Sequence, residues 1–202
     1  MTLSDALDLW DYRRRVHDIY RTARDGGPGP GPWSQWVAER DDLFATHPQS
    51  PFEDPSLFTG LPYFPYDPAW RVAARFTPVD DETALLDHSG EGATRFVKVG
   101  VVDFKALDNQ GSLDVLWLDA YGGGVFLPFR DASNAGSTYG GGRYLLDTVK
   151  GADLGHEDEQ MVFDFNYSYH PSCVHSYRWS CPLATPANTL GFAVEAGERL
   201  AT

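Results

Sequence analysis

A chain of 202 residues with 42% hydrophobic and 14% aromatic content can bury roughly 70% of its unfolded surface in one domain, which excludes extended disorder. Its 16 basic and 29 acidic residues give a formal charge of -13, which repels a phosphate backbone and argues against a nucleic-acid partner. No run reaches the ~18 apolar residues of a membrane span and the start, MTLSDALDLWDYRRRV, lacks the order of a signal peptide, so a cytoplasmic protein with no membrane partner is expected.

Leu9, Tyr12, Val16 and Ile19 follow 3–4 spacing, Ser4 can cap them and Gly26-Gly27 ends them, which predicts an amphipathic helix over residues 5–24. The run GGPGPGP at 26–32 reads as a linker. A second helix follows, with Trp33, Trp36, Val37, Arg40, Leu43 and Phe44 on one side, ending before His47-Pro48. Residues 1–46 thus form an N-terminal helical segment. From 47 to 70, six prolines forbid regular structure while Phe52, Leu57, Phe58, Leu61, Tyr63, Phe64 and Tyr66 offer anchors, so a strap lying across the domain is expected.

Residues 71–202 read as β, with 47–202 one folding unit. Strands are expected at 71–78, 84–88, 94–107, 113–119, 125–129, 143–149, 161–167 and 189–194. Asp108-Asn109-Gln110-Gly111 is a hairpin turn, and the apolar set changes phase near Gly100, as a bulge would produce. Strands about 10 residues apart with no helical pattern between them indicate α+β architecture: a predominantly antiparallel, barrel-like or sandwich domain with two N-terminal helices.

Two polar stretches carry the candidate chemistry. In FRDASNAGSTYGGGRYL, at 129–145, Arg130-Asp131 leaves a strand and Tyr139, three glycines, Arg143 and Tyr144 enter the next, which suits either an anion-holding loop or a tight turn whose Arg143 pairs with Asp131 or Asp164. In DFNYSYHPSCVHSYRWSCP, at 164–182, Asp164, Asn166 and Ser168 share a face if the strand persists. His170, Cys173, His175 and Cys181 offer four nitrogen or sulfur donors in a spacing that matches no established zinc pattern, so no metal is favoured. The same residues permit a thiol nucleophile, with Cys173 activated by a histidine, or a Cys173–Cys181 bridge. Glu195 and Glu198 read as surface carboxylates.

The blocks WVAERDDLFATHPQSPF, GLPYFPYDPAWRVAARF, FLPFRDASNAGSTYGGGRYL, DFNYSYHPSCVHSYRWSCPL and NTLGFAVEAGERL together resemble a bacterial and archaeal family, domain of unknown function 1684, over nearly the whole chain from Trp33. The resemblance implies a single domain and a motif set that includes Arg130, Asp131, Thr138, Tyr139, Gly140, Gly142, Arg143, Tyr144, Asp164, Asn166, Tyr169, Pro171, Cys173, Cys181, Pro182, Asn188 and Glu198. It implies no activity and no cofactor. The chain departs from it at His170, where the family has Asn, and at His175, where it has an aromatic residue.

The expected function is binding of a small, anionic molecule in a polar pocket. Arg130, Asp131, Tyr139, Arg143, Tyr144, Asp164, Asn166, Tyr169, Cys173 and Cys181 are its expected ligand-binding residues. The alternative is a metal- or thiol-dependent enzyme using His170, Cys173, His175 and Cys181.

Overall fold

The computed structural model describes residues 2–157 and 160–201. Helix α1 spans Leu3–Gly26 and α2 spans Pro30–Thr46. Thr2, rather than Ser4, caps α1: Asp5 N–H donates to Thr2 Oγ1 at 3.1 Å and the Asp5 carboxylate accepts from Thr2 N–H at 2.7 Å, a reciprocal pair that Ser4 cannot complete. Helix α2 starts inside the Gly/Pro run, because proline is tolerated in a first turn whose N–H groups have no intrahelical acceptor.

The helices bury Ile19, Tyr20 and Ala23 against Trp36, Leu43 and Phe44, and this cluster continues into Leu61, Ala152 and Tyr167. Trp36 meets Tyr20, Tyr63 and Tyr167 edge to face. The strap docks its Phe52, Phe58 and Tyr63 rings on the same cluster, while Leu57 stays exposed. Asn166 fastens it further, accepting from Asp67 N–H at 3.0 Å and donating to Asp67 O at 2.9 Å.

Among the described residues seven antiparallel strands form one open sheet: β1 (Arg71–Asp87), β2 (Ala93–Ala106), β3 (Asn109–Leu118), β4 (Val125–Phe129), β5 (Arg143–Asp147), β6 (His156–Glu157) and β7 (Gln160–Asp164). Their order across the sheet is β5-β4-β3-β2-β1-β7-β6, so the fold is α+β and the sheet does not close into a barrel. The segments at 71–78 and 84–88 are one strand, interrupted by a register shift between Pro78 and Glu82 where proline cannot donate to the ladder. In β2 the register shifts between Lys98 and Gly100, as the phase change required. A Cβ on Gly100 would strike the Phe76 ring, so glycine is what permits the close pairing there. The β2–β3 turn is tighter than the sequence suggested: Ala106 pairs with Asn109, leaving Leu107 and Asp108 at the tip with Leu107 at φ 53°.

Successive residues of β3 and β4 point to opposite faces. Val115 and Leu127 enter a core with Trp70, Phe104, Phe129, Phe165 and Val194. Leu116 and Phe126 enter a second cluster with Leu86, Phe96 and Tyr144.

Two expected strands differ. Residues 165–167 form a 3-10 turn rather than extending β7, so the alternation of Asp164, Asn166 and Ser168 on one face is lost. Asp164 Oδ1 causes the turn by accepting from Asn166 N–H at 3.0 Å. The segment 189–194 is not a ladder strand: it bridges Arg130 at Thr189, and Leu190 N–H donates to Arg130 O at 2.8 Å. Its Phe192 carbonyl accepts from Ala132 N–H at 3.1 Å, and the carbonyl of Val194 finds a side-chain donor, described next.

Candidate functional site

Arg143, on β5, is fully buried. Its guanidinium donates to the carbonyls of Val194 at 2.8 Å, Glu198 at 3.2 Å and Ala196, and to Asp131 Oδ2 at 2.8 Å. Residues 194, 196 and 198 alternate as in a strand, but a side chain satisfies their carbonyls where a neighbouring strand otherwise would. Asp131 closes the arrangement, its Oδ1 accepting from Ser133 N–H at 2.8 Å and Val194 N–H at 3.2 Å.

Glu198 ends this segment and is buried, not on the surface as the sequence suggested. Its Oε2 accepts both Arg40 guanidinium nitrogens at 3.1 Å, and Arg40 also donates to the Tyr63 hydroxyl. His170 Nδ1 lies 3.3 Å and His175 Nε2 3.5 Å from Glu198 Oε1. Both approaches are oblique, so Glu198 Oε1 and His175 Nε2 have no directed hydrogen bond among the described residues. His170 Nε2 accepts from Tyr139 N–H at 3.1 Å, which assigns its proton to the nitrogen facing Glu198. Burial alone would push the Glu198 carboxyl up, yet the Arg40 guanidinium and the two imidazoles outweigh it and hold the group well below the carboxylate range.

Gly197 permits this approach. It lies at φ +75°, and a Cβ there would collide with Ser168 Oγ and with the Ser168 and Phe165 carbonyls. Gly197→Ala is therefore expected to lower stability by about 1–3 kcal/mol, through both the backbone and the clash. A urea unfolding midpoint equal to that of the parent protein would contradict that placement.

The space open to a ligand lies elsewhere. A cavity of about 440 Å³ sits between α1 and the end of the sheet that carries Phe96 and Phe126. Leu9, Tyr12 and Arg13 of α1 form one wall, and Asp147, Val149 and Lys150 form another. Tyr144, Tyr169, Pro171-Ser172 and the run Trp179–Pro182 complete it. Tyr144 is fixed by its hydroxyl, which donates to Pro182 O at 2.6 Å. Tyr12 and Tyr169 line the same cavity. Burial raises the Tyr169 phenol well above its ordinary range, so it stays a neutral donor. Lys150 Nζ lies 2.7 Å from Asp147 Oδ2 and is half-exposed.

The ten expected ligand-binding residues therefore divide. Tyr144, Tyr169 and Cys181 line the cavity. Cys173 lies in the 3-10 turn Ser172–Val174 after the cavity rim, Tyr139 N–H donates to His170, and Arg130 bridges to Thr189, so none of these three lines the cavity. Asp131 and Arg143 hold the C-terminal segment, and Asp164 and Asn166 hold the 3-10 turn and the strap; all four are buried and bonded to the protein itself. The four expected nitrogen and sulfur donors also separate: the histidines turn to Glu198, Cys181 lies in the cavity wall, and Cys173 sits in the 3-10 turn Ser172–Val174 that follows the cavity rim. No three His, Cys, Asp or Glu side chains gather as a metal-holding group among the described residues.

The family model described as "Protein of unknown function (DUF1684)" matches residues 56–199. The chain belongs to the DUF1684 family. An uncharacterized protein of Haloarcula marismortui, solved in solution by NMR, is 34% identical, with 81% of this chain and 90% of that one covered and a TM-score of 0.60. No curated protein matches the chain. The DUF1684 match includes Tyr144, Tyr169 and Cys181, whereas the cavity wall formed by Leu9, Tyr12 and Arg13 precedes it. No described helix is long and apolar enough to cross a membrane.

The cavity residues from α1 and the sheet escape sequence reading because Tyr12, Phe96 and Phe126 look like any other apolar-face positions. The Arg40–Glu198 pair did leave a signal. An arginine on the apolar side of α2, among Trp36, Leu43 and Phe44, requires a buried acid from elsewhere in the chain.

Proposed function

We propose that this DUF1684 protein binds a small molecule with an apolar, ring-bearing body and one anionic group in the cavity beneath α1. The observation that carries the reading is the composition of the walls. Tyr12, Phe96, Phe126, Tyr144, Tyr169 and Trp179 supply rings, and the charged groups are two cations, Arg13 and Lys150, against one carboxylate, Asp147. In a chain of net charge -13 that is a local positive excess. Rings favour stacking on a planar body, while Lys150, Tyr12 and Tyr169 provide donors for an anionic end. The volume suits one small ligand.

Anilinonaphthalene sulfonate has this chemistry and reports binding by fluorescence. The folded protein is expected to bind it saturably at one site. Lys150→Met should weaken binding roughly tenfold through loss of a charge-assisted contact. Ser172→Trp, which fills the cavity from its rim, should abolish binding while leaving the melting temperature within a few degrees. Equal binding by the parent protein and Ser172→Trp would place the dye elsewhere and overturn the assignment.

A further inference from the structure

Helix α1 carries apolar residues on two faces. Tyr12, Val16, Ile19 and Ala23 pack in the cluster shared with α2 and the strap. At about 100° per residue, Leu3, Leu7, Trp10 and Arg14 fall within an arc of about 60° on the opposite side. Leu3 is 77%, Leu7 54% and Trp10 57% exposed, and the Arg14 guanidinium lies over the Trp10 ring at 5.0 Å. Single exposed apolar side chains are ordinary, but three in register on one helix face form a patch that calls for a partner. Their spacing of four, then three, continued by four to Arg14, is that of the seam between two paired helices.

We propose that the stripe of Leu3, Leu7 and Trp10 is the surface on which two copies of this chain associate, their α1 helices antiparallel about a two-fold axis. Charge selects the second copy as the occupant. The five arginines of α1 balance its five aspartates, so the whole formal charge of -13 resides outside the helix. Two chains this acidic repel across most of their surfaces, and a neutral helix face with an apolar stripe is where they can approach. An anionic bilayer would meet the same charge with only a neutral helix against it.

The positions along the stripe set the orientation. A two-fold axis perpendicular to the helices sets Leu7 against the partner's Trp10, and Leu3 against the partner's Arg14, whose aliphatic stem covers it. Ser4 then faces the partner's Asp11, and Ala6 the partner's Arg13. No like charges meet, and the helix dipoles oppose one another. Parallel helices would instead stack Arg14 on the partner's Arg14 within the seam. Neither Leu7 nor Trp10 lines the ligand cavity, so the association is separate from the binding proposal.

The test is sedimentation equilibrium of the full chain up to ~1 mM. An interface of less than ~1,200 Å² is weak, so a monomer–dimer equilibrium with a dissociation constant on the order of 10–100 µM is expected. Trp10→Glu or Leu7→Lys alone should weaken association at least ~10-fold. Both side chains face water in the single chain, so each variant should keep the melting temperature of the parent. Mixing the two variants should restore a dimer, because the antiparallel register sets the two introduced charges against each other and leaves the second Leu7–Trp10 contact intact. A parent that stays monomeric throughout, single variants that associate like the parent, or a mixture that stays monomeric would overturn the proposal. So would a monomeric parent that co-sediments with vesicles of phosphatidylglycerol and phosphatidylcholine, which would place the stripe on a membrane.

Discussion

Arg143→Met is expected to remove about 3–5 kcal/mol of stability, because it strands the buried Asp131 carboxylate and leaves the carbonyls of Val194, Ala196 and Glu198 without a donor. For a domain of this size the loss corresponds to a fall in melting temperature of roughly 6–20 °C. Methionine keeps most of the volume, so the effect reports the polar lattice and not a cavity. Adding Asp131→Asn should recover part of the loss: it removes the unpaired charge while keeping an oxygen for Ser133 N–H and Val194 N–H. Thermal unfolding followed by circular dichroism checks both variants. A single variant that melts within a few degrees of the parent would mean that the C-terminal segment is held by other contacts.

The second large effect is at Glu198. Glu198→Gln leaves the Arg40 guanidinium buried without a counter-charge and should also remove about 3–5 kcal/mol at neutral pH. The sign of the pH dependence follows from the depressed carboxyl. A group held below its unfolded value of 4.5 contributes its full stabilisation above that pH and loses it as pH falls through the folded value. The parent protein should therefore lose stability steeply below about pH 4.5, and the Gln variant should show a flatter acid limb. Parallel acid limbs in urea unfolding at several pH values would remove Glu198 from the account.

Much of the fold was legible because local patterns and tertiary structure agree. The phase change at Gly100 became a register shift, and the Asp108 region became a hairpin. The failures share one physical cause: side chains replace backbone ladders. Residues 189–194 alternate like a strand, yet Arg143 collects the carbonyls that follow them. Asp164, Asn166 and Ser168 alternate too, yet Asp164 bonds the backbone two residues on and turns the chain. Such substitutions depend on residues far apart in sequence, and no periodicity announces them.

The same cause relocated the candidate site. Arg143 and Asn166 stood out as polar residues in glycine- and aromatic-rich stretches, but that density builds the lattice that seats the C-terminal segment, the strap and α2. Tyr144, Tyr169 and Cys181 belong to the same stretches and do line the cavity. Their partners, Tyr12 and Arg13 on α1 and Phe96 on β2, come together only through the packing of the helix over the sheet. Lattice and cavity meet at Tyr169, whose ring lies over the Arg40 guanidinium at 5.2 Å.

The most direct test of the binding proposal is a backbone NMR titration of the full chain with anilinonaphthalene sulfonate. Saturable shifts are expected at Leu9–Arg13, Thr94–Phe96, Tyr169–Ser172 and Trp179–Pro182, the segments that enclose the cavity. No saturable shift at millimolar dye, or shifts centred on the separate groove at Ala73–Arg75 and Gln110–Ser112, would contradict it.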